Sequence, residues 1–163
     1  MKALTVALLA ALTLAQSSAL QFNPDWAVVL PADYWPRNMY KWCSRDAPGR
    51  AGYWAPDSET IGSLEVVLAL ALQRALEEKI KDPSRRPAPA DYYRQYIGIR
   101  KGRRQAVYIN GFHRSYVEHL RPGSVNYWRT RVVNVCDGGS RFFGAEYDPA
   151  TGQVTTIRFN GPG

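Results

Sequence analysis

The C-terminal block from Val132 to Asn160 constrains the fold more than any other stretch of the chain. It reads VVNVCDGGSRFFGAEYDPATGQVTTIRFN and combines three short apolar runs, two turn signals and one of the two cysteines. Residues 148–152 are typical of a type I turn with proline at its second position and a closing glycine at positive φ. Side chains alternate between the two faces of a strand. The block therefore predicts antiparallel strands on both sides of this turn.

The register of these strands follows from keeping the apolar side chains on one face. If Tyr147 faces Gln153, the predicted core face holds Phe143, Ala145, Ile157 and Phe159. The outer face then holds Phe142, Gly144, Glu146, Val154, Thr156 and Arg158. A three-residue loop over 138–140 keeps Val133 and Val135 on the core face, whereas a two-residue turn on the two glycines turns both valines outward. We therefore expect the three-residue loop.

A long helix is predicted over residues 57–81. Asp57 and Ser58 are good N-cap residues directly after Pro56, and Glu59 favours the first turn through the helix dipole. One apolar face repeats at three- and four-residue steps and consists of Ile61, Leu64, Leu68, Ala71, Leu72, Ala75 and Leu76. The expected polar stripe consists of Glu65, Gln73, Glu77 and Lys81. Because the middle of the helix is apolar nearly all round, we expect it to be more than half buried.

The remaining segments complete an α+β pattern. Residues 20–56 are rich in tryptophan and proline, which predicts an irregular but packed segment. Residues 91–99 and 104–112 predict two strands around a basic turn, and residues 113–126 predict a loop. We expect a single domain over 20–163, in which one long helix packs on a four- to five-stranded, mostly antiparallel sheet formed by residues 91–160.

Residues 1–19 are predicted to be a secretory signal peptide. Lys2 precedes an unbroken apolar run, and the small residues Ser17-Ser18-Ala19 suit a signal peptidase. The alternative of a membrane anchor fails because the run is shorter than the roughly 20 residues that span a bilayer. Ala19 is expected to be the last residue removed, with Ala15 as a second candidate. We therefore expect a periplasmic or secreted protein without a transmembrane segment after signal removal.

Cys43 and Cys136 are the only cysteines, and in an oxidising compartment they are expected to form a disulfide. Closing so long a loop contributes roughly 4–5 kcal/mol in the chain-entropy model. The expected register places Cys136 on the outer sheet face opposite Phe142. The disulfide would then hold the N-terminal segment over that face, while the helix covers the inner one.

The net charge of +7 allows binding of anionic envelope polymers, nucleic acid or an acidic protein partner, and it also serves solubility alone. We expect no cofactor. The carboxylates of Glu118, Asp137, Glu146 and Asp148 match no metal-loop spacing, and Asp137 and Asp148 have turn-forming reasons to be present. No metal site is therefore expected.

The densest basic and aromatic region is the first candidate site. It consists of Arg100, Lys101, Arg103 and Arg104 with Tyr92, Tyr93 and Tyr96. Arginines beside stacking rings suit single-stranded nucleic acid or anionic envelope polymers. The alternative is an ordinary exposed hairpin turn.

The second candidate site is the loop that contains both histidines, His113 and His119, together with Glu118. A secreted hydrolase or nuclease could use Glu, His and Arg side chains for general acid–base catalysis. No nucleophile motif or phosphate loop accompanies them. The alternative is solvated surface.

The run VCDGGSRFFGAEYDPATGQVTTIRFNG, with ADYYRQYIGI and AVYINGF upstream, resembles small uncharacterised secreted proteins of proteobacteria. Those proteins are similar in having a signal peptide, a Trp/Pro-rich start and a C-terminal CDGG…GxEYDPxTG…FNG block. The resemblance covers about residues 91–161 and implies a bacterial source and export, but no site residues. The predicted layers are also similar to cystatin-like folds, and fold does not imply function.

The leading hypothesis is a non-catalytic exported protein of the binding or inhibitor type that recognises a protein or an anionic envelope partner. It depends on the rigid sheet, the abundant tyrosine and tryptophan and the basic charge. The alternative is a small secreted hydrolase or nuclease that uses Glu118, His119 and His113.

Overall fold

The computed structural model describes residues 21–31, 45, 52–121, 124, 126–155 and 157–161. The predicted signal peptide and Cys43 lie outside these residues. The strands are β1 (Ala27–Val29), β2 (Gly52–Tyr53), β3 (Tyr92–Lys101), β4 (Arg104–His113), β5 (Phe142–Asp148), β6 (Gln153–Val154) and β7 (Arg158–Phe159). The helices are α1 (Ser58–Lys79) and α2 (Arg114–Glu118), and short 3-10 turns lie at Pro83–Arg85, Pro89–Asp91, Tyr127–Arg129 and Gly139–Arg141.

A single mixed sheet organises the described residues, with β3, β4 and β5 as its long central strands. β1 and β2 share the outer edge of β3, and β6 and β7 share the outer edge of β5. Every pairing is antiparallel except that of β1 with β3. The α+β class with one helix on a mostly antiparallel sheet is confirmed. The seven described strands and the parallel edge differ from the four or five expected.

The predicted hairpin in the middle of the chain is confirmed. β3 and β4 pair over ten residues each, from Tyr92 opposite His113 to Lys101 opposite Arg104. Gly102 has a φ of 63°, a conformation that glycine adopts without the steric cost of a side chain. Because the connecting turn has only two residues, the register of the two strands is set locally.

Helix α1 covers one face of the sheet. The Asp57 side chain accepts a hydrogen bond from the Thr60 N–H at 2.8 Å, which confirms the predicted N-cap. The helix buries Ile61, Leu64, Leu68, Ala69, Leu72 and Leu76. These side chains pack on the rings and aliphatic groups of β3, β4 and β5, including Tyr92, Tyr96, Val107, Ile109 and Phe143. Each fully buried leucine contributes about 1.5–3 kcal/mol.

Glu65 corrects the predicted polar stripe, because it is completely buried on the sheet side of α1. Its carboxylate accepts hydrogen bonds from Arg94 Nε at 3.1 Å and from the Tyr96 hydroxyl at 2.5 Å. Arg94 also donates to the Tyr92 carbonyl at 2.7 Å. The inward side of β3 therefore carries a cation into the core, and Glu65 is buried because it neutralises that cation.

The outer sheet face is covered by the segment between α2 and β5. Trp128 and Val133 pack there against Phe112 and Phe142. This contradicts the prediction that Val133 lies in a strand on the helix side. The edge of β5 that such a strand would use is already paired with β4, from Val107 opposite Tyr147 to Phe112 opposite Phe142.

The expected three-residue hairpin loop over 138–140 is also wrong. Residues 132–138 are outside any strand, and the 3-10 turn Gly139–Arg141 leads directly into β5. The Gly139 N–H donates to the Gly161 carbonyl at 2.9 Å. The glycines therefore join this segment to the C-terminus of the described chain instead of reversing a strand.

The C-terminal hairpin keeps its predicted core-face residues but differs in register. Tyr147 pairs with Val154 and not with Gln153, and Phe143 pairs with Phe159. The register of β7 on β5 is offset by one residue from the register of β6 on β5. The edge strand is therefore interrupted between β6 and β7, as in a β-bulge. All four predicted core-face residues lie in or against the helix-side core, as Phe143, Ala145, Ile157 and Phe159. Val154, predicted on the outer face, also packs against this core.

Replacing Glu65 tests the importance of the buried ion pair. We expect Glu65→Ala to lower the free energy of unfolding by about 3–5 kcal/mol, because it leaves the Arg94 guanidinium buried without its carboxylate. Urea denaturation at neutral pH measures this change. Glu78→Ala, which removes an exposed carboxylate from the same helix, is the matched control and should cost less than about 0.5 kcal/mol. Equal effects of the two substitutions would contradict the assignment.

Candidate functional site

The basic hairpin lies at the tip of β3 and β4, where acidic side chains of β5 neutralise part of it. Lys101 Nζ lies 2.8 Å and 2.6 Å from the two Glu146 carboxylate oxygens. Arg104 forms an ion pair with Asp148, and this contact lowers the pKa of the Asp148 carboxyl. Arg100 donates to the Tyr53 carbonyl at 3.1 Å. Arg103 is therefore the hairpin cation for which no contact is seen among the described residues.

The three tyrosines predicted to accompany these cations do not form a common surface with them. Tyr92 and Tyr96 are fully buried beneath α1, and burial raises the pKa of both hydroxyls. Tyr92 donates to the Ser140 carbonyl at 2.7 Å, and Tyr96 donates to Glu65. Tyr93 lies on the other sheet face, at the end of β3 far from the hairpin tip. The alternation of side chains along one strand separates these neighbours in sequence.

The histidine loop contains the short helix α2, and both imidazoles contact Ser115. His113 Nδ1 lies 2.9 Å from Ser115 Oγ and accepts a hydrogen bond from the Ser115 N–H at 3.3 Å. His119 Nδ1 lies 2.5 Å from the Ser115 carbonyl oxygen. His113 is the N-cap residue of α2, and Glu118 is exposed at its last position. These contacts are local and account for the positions of both rings.

The surroundings of His113 contain both signs of charge. The imidazole packs edge-on against Tyr92, with 5.6 Å between the ring centroids. Burial lowers the pKa of His113, and the nearby Asp91 carboxylate opposes that shift. Arg114 lies 3.6 Å from Asp91 in an exposed ion pair. A serine hydroxyl, an imidazole, a carboxylate and a guanidinium thus lie close together.

A continuous cluster of rings on the outer face consists of Trp26, Tyr93 and Trp128. We define the aromatic surface as Trp26, Tyr93, Tyr127, Trp128, Arg129 and Arg131. The ring centroids of Trp26 and Tyr93 are 5.0 Å apart, and those of Tyr93 and Trp128 are 4.9 Å apart. Trp128 is buried, whereas Trp26 is 38% exposed and Tyr127 is 42% exposed. The exposed ring of Trp26 therefore stands on a packed base of Tyr93 and Trp128.

Arg129 joins two segments that are distant in sequence. Its guanidinium lies 4.6 Å from the Trp128 ring centroid, within cation–π range. It donates hydrogen bonds to the carbonyl oxygens of Pro24 and Asp25, directly before Trp26. Arg131 lies over the Tyr127 ring at 5.5 Å. Arg129 thus positions Trp26 beside Trp128, and Arg131 accompanies the exposed Tyr127.

Two buried amides attach this segment to the sheet. Gln95 and Asn110 face each other on β3 and β4, with 2.9 Å between Asn110 Nδ2 and Gln95 Oε1. Gln95 donates to the carbonyls of Trp128 and Arg131 and accepts from the Val133 N–H at 2.9 Å. Asn110 Nδ2 also donates to the Val133 carbonyl at 2.8 Å. These bonds substitute for the strand ladder that the segment lacks.

The aromatic surface has little local signature in the sequence. Its signal is the run Tyr-Trp-Arg-Thr-Arg at 127–131, where two aromatic residues directly precede two arginines. Trp26 is separated from this run by about 100 positions and belongs to the segment predicted to be irregular. Trp26 lies near this run because Arg129 donates to the Pro24 carbonyl and because Tyr93 packs against the Trp26 ring.

Cys136 is exposed. Asn160 Nδ2 donates to the Val135 and Asp137 carbonyls on either side of it, at 2.7 and 2.9 Å. The predicted pairing with Cys43 stays a prediction, because Cys43 lies outside the described residues.

None of the described helices combines the length and the apolar character that a membrane crossing requires.

Comparisons of the chain with protein-family models, curated proteins and solved structures give no match.

The amide attachment can be tested with Gln95→Ala. The substitution leaves the carbonyls of Trp128 and Arg131 without their donor, and we expect it to cost at least about 2 kcal/mol of unfolding free energy. Trypsin should also cleave the variant faster after Arg129 and Arg131 under native conditions. Gln73→Ala, on the exposed side of α1, is the control. Unchanged proteolysis would contradict the role of Gln95 in holding this segment.

The burial of His113 predicts a specific titration. Because the neutral form is favoured in the folded protein, its pKa should fall below the ordinary value of 6.5. The corresponding stability is fully present above the unfolded-state pKa and is lost as the pH falls through the folded-state pKa. NMR titration of the imidazole C–H signals measures the midpoint. A midpoint at or above 6.5 would show that desolvation does not dominate at this residue.

Proposed function

We propose that this is an exported, non-catalytic protein of the binding or inhibitor type, and that the aromatic surface contacts its protein or anionic envelope partner. The observation that carries the proposal is the exposed ring of Trp26 on the packed cluster of Tyr93, Trp128 and Arg129, with the exposed Tyr127 and Arg131 pair in the adjoining residues of the chain. Tryptophan, tyrosine and arginine are the residues most enriched among interface hot spots. Aromatic side chains also provide much contact area for little conformational entropy.

The rigidity of the cluster supports the same function. Trp26 packs on Tyr93, and Tyr93 packs on Trp128, so little ring motion remains to be lost on binding. The backbone of the surface is held by buried amides from the two central strands. A surface that is already ordered retains more of its contact energy as affinity.

Export and disulfide formation belong to this proposal. The signal peptide predicted over residues 1–19 would bring the chain to a periplasmic or extracellular space. The Cys43–Cys136 disulfide would then connect the N-terminal segment to the end of the segment that carries the aromatic surface. The resemblance to small secreted proteobacterial proteins agrees with this compartment and adds no partner.

Partner capture with matched variants tests the function. The purified exported protein is immobilised and incubated with periplasmic extract and with culture medium of the source bacterium. We expect Trp26→Ala/Tyr127→Ala to reduce the captured partner at least tenfold, because it removes both exposed rings while the buried base remains. The captured material is identified and quantified by mass spectrometry.

The control for capture is Arg100→Ala/Arg103→Ala at the hairpin tip. This variant removes two positive charges from the other candidate surface, and we expect it to retain the partner within about twofold at 150 mM salt, where exposed charges are largely screened. Loss of the partner in this variant alone would assign binding to the hairpin. Capture that survives both variants would show that neither surface carries the function.

The hydrolase or nuclease alternative depends on one specific observation, the 2.9 Å contact between His113 Nδ1 and Ser115 Oγ beside Asp91 and Arg114. A local serine–imidazole contact is also what an N-cap requires. The alternative requires that His113→Ala abolish hydrolysis of an ester or oligonucleotide substrate by the purified protein. Absence of any wild-type hydrolysis would exclude it for the substrates used.

A further inference from the structure

We propose that helix α1 pairs with α1 of a second copy of this chain, in an antiparallel arrangement with Val66 on the twofold axis. The inference goes beyond the proposed function and does not depend on it. It assigns an interface on the helix side of the sheet, opposite to the outer face on which Trp128 packs. A dimer formed in this way leaves the outer face of both copies accessible to a partner.

Exposed apolar side chains are concentrated along α1. Five large apolar side chains of the described residues are exposed, and two of them, Val66 and Leu70, lie on this helix with exposed fractions of 58% and 42%. Residues four positions apart are neighbours on one helix face, so these two form a continuous apolar patch. A third, Phe22, is 44% exposed and shares a cavity with Ser58 and Ile61 at the start of α1. Such a patch along one element is typical of a protein–protein interaction surface.

Two small residues beside the patch leave room for a side chain of a second helix. Apart from its own helix backbone and chain neighbours, no heavy atom lies within 4 Å of a Cβ position on Gly62. Ser63 is exposed beside it. In an antiparallel pair centred on Val66, Leu70 stands opposite Gly62 and Ser63 of the second copy, because all three lie within about one helical turn of the axis. The leucine then enters the space above the small residues, as a knob enters a hole in a coiled coil.

The charges at the two ends of the patch are complementary in the same arrangement. Glu59 lies seven positions before Val66, and Arg74 lies eight positions after it. Both side chains are exposed, and neither forms an ion pair with a described residue. An antiparallel pair therefore brings each Arg74 to Glu59 of the second copy and forms two ion pairs across the interface. Glu77, by contrast, already contacts Arg86 at 3.6 Å within its own chain.

A second copy of the same helix meets all of these requirements at once. A twofold interface must be self-complementary, and here the small residues, the apolar centre and the opposite charges lie at matching distances on the two sides of Val66. A parallel pair would place Glu59 against Glu59 of the second copy and align the two helix dipoles, which is unfavourable. A single helix pair buries less than the roughly 800 Å² per partner of a typical stable complex, so the expected dimer is weak and concentration-dependent.

Disulfide trapping tests the position of the axis. Val66→Cys places two thiols on the twofold axis, within reach of each other. Gln73→Cys is the matched control on the same exposed side of α1, and its two thiols are about 21 Å apart along an antiparallel pair. The purified variants are oxidised with copper phenanthroline and separated on non-reducing gels, with the unsubstituted protein as background for Cys43 and Cys136. We expect at least about five times more covalent dimer from Val66→Cys than from Gln73→Cys.

Sedimentation equilibrium tests the apolar patch. We expect the protein to dimerise between about 1 and 500 μM. Val66→Ser/Leu70→Ser should raise the dimer dissociation constant at least tenfold, and its unfolding by urea should change little because both side chains are exposed. Tyr127→Ser is the matched control, since Tyr127 is as exposed as Leu70, at 42%, and lies in the segment that covers the outer face. This control should leave the dissociation constant within about twofold.

Exchanging the two charges tests the pairing of Glu59 with Arg74. Glu59→Arg alone, or Arg74→Glu alone, should weaken the dimer about tenfold at about 50 mM salt, because each places two like-charge pairs across the interface. The double variant should return the dissociation constant to within about threefold of the original value. Failure of the double variant to recover overturns this pairing.

The remaining outcomes are equally decisive. A protein that stays monomeric up to about 500 μM overturns the dimer. Equal trapping of Val66→Cys and Gln73→Cys overturns the antiparallel arrangement, because a parallel pair would trap both. Weakening by Tyr127→Ser alone would move the interface to the outer face and overturn the role of α1. Partner capture that depends on Trp26 and Tyr127 is measured separately, so failure of the dimer and failure of the proposed function are distinguishable.

Discussion

The cross-strand amide pair of Gln95 and Asn110 is the interaction on which the outer half of this structure depends. The segment between α2 and β5 covers a sheet face without forming a strand, so its backbone polar groups need partners from elsewhere. The two amides provide them at Trp128, Arg131 and Val133, and the Asn110 side-chain oxygen accepts a further hydrogen bond from the buried Arg45. With all these bonds formed, the pair is a fully satisfied buried network, the kind that defines one arrangement of a core.

The two faces of the sheet are covered and packed in different ways. On the helix side, leucines of α1 and rings of the strands form an apolar core around the buried ion pair of Glu65 with Arg94. On the outer side, amides and aromatic rings attach an irregular segment, and the rings of Trp26 and Tyr127 remain exposed. In this second arrangement, the residues that anchor the segment also order the ring of Trp26, which solvent can reach.

The density of cations along the sequence does not indicate which of these cations lack an acidic partner in the structure. The hairpin tip has the densest run of cations, but β5 brings Glu146 and Asp148 against two of them. Arg131 stands in a sparser run, and no described carboxylate pairs with it. Each surface thus keeps one exposed guanidinium without a described acidic partner, Arg103 at the hairpin tip and Arg131 beside the Tyr127 ring. The same reasoning applies to the aromatic residues, because Tyr92 and Tyr96 are conspicuous in sequence and entirely buried.

Local chemistry in the sequence determined α1 and its Asp57 cap, the β3–β4 hairpin with its glycine turn, and the core face of the C-terminal strands. Each of these depends on spacings of a few residues, which periodicity and turn preferences describe directly. Tertiary structure alone decided that Glu65 is buried, that Val133 covers the outer face, and that the C-terminal strands are shifted from the expected register, by one residue at β6 and by two at β7. It also decided the candidate site: Trp26 and residues 127–131 meet only because Arg129 and Tyr93 contact both segments. These features could not be predicted from local patterns, because a buried charge or a backbone carbonyl can be paired by a residue far away in the chain. A local sequence pattern does not indicate which distant residue that is.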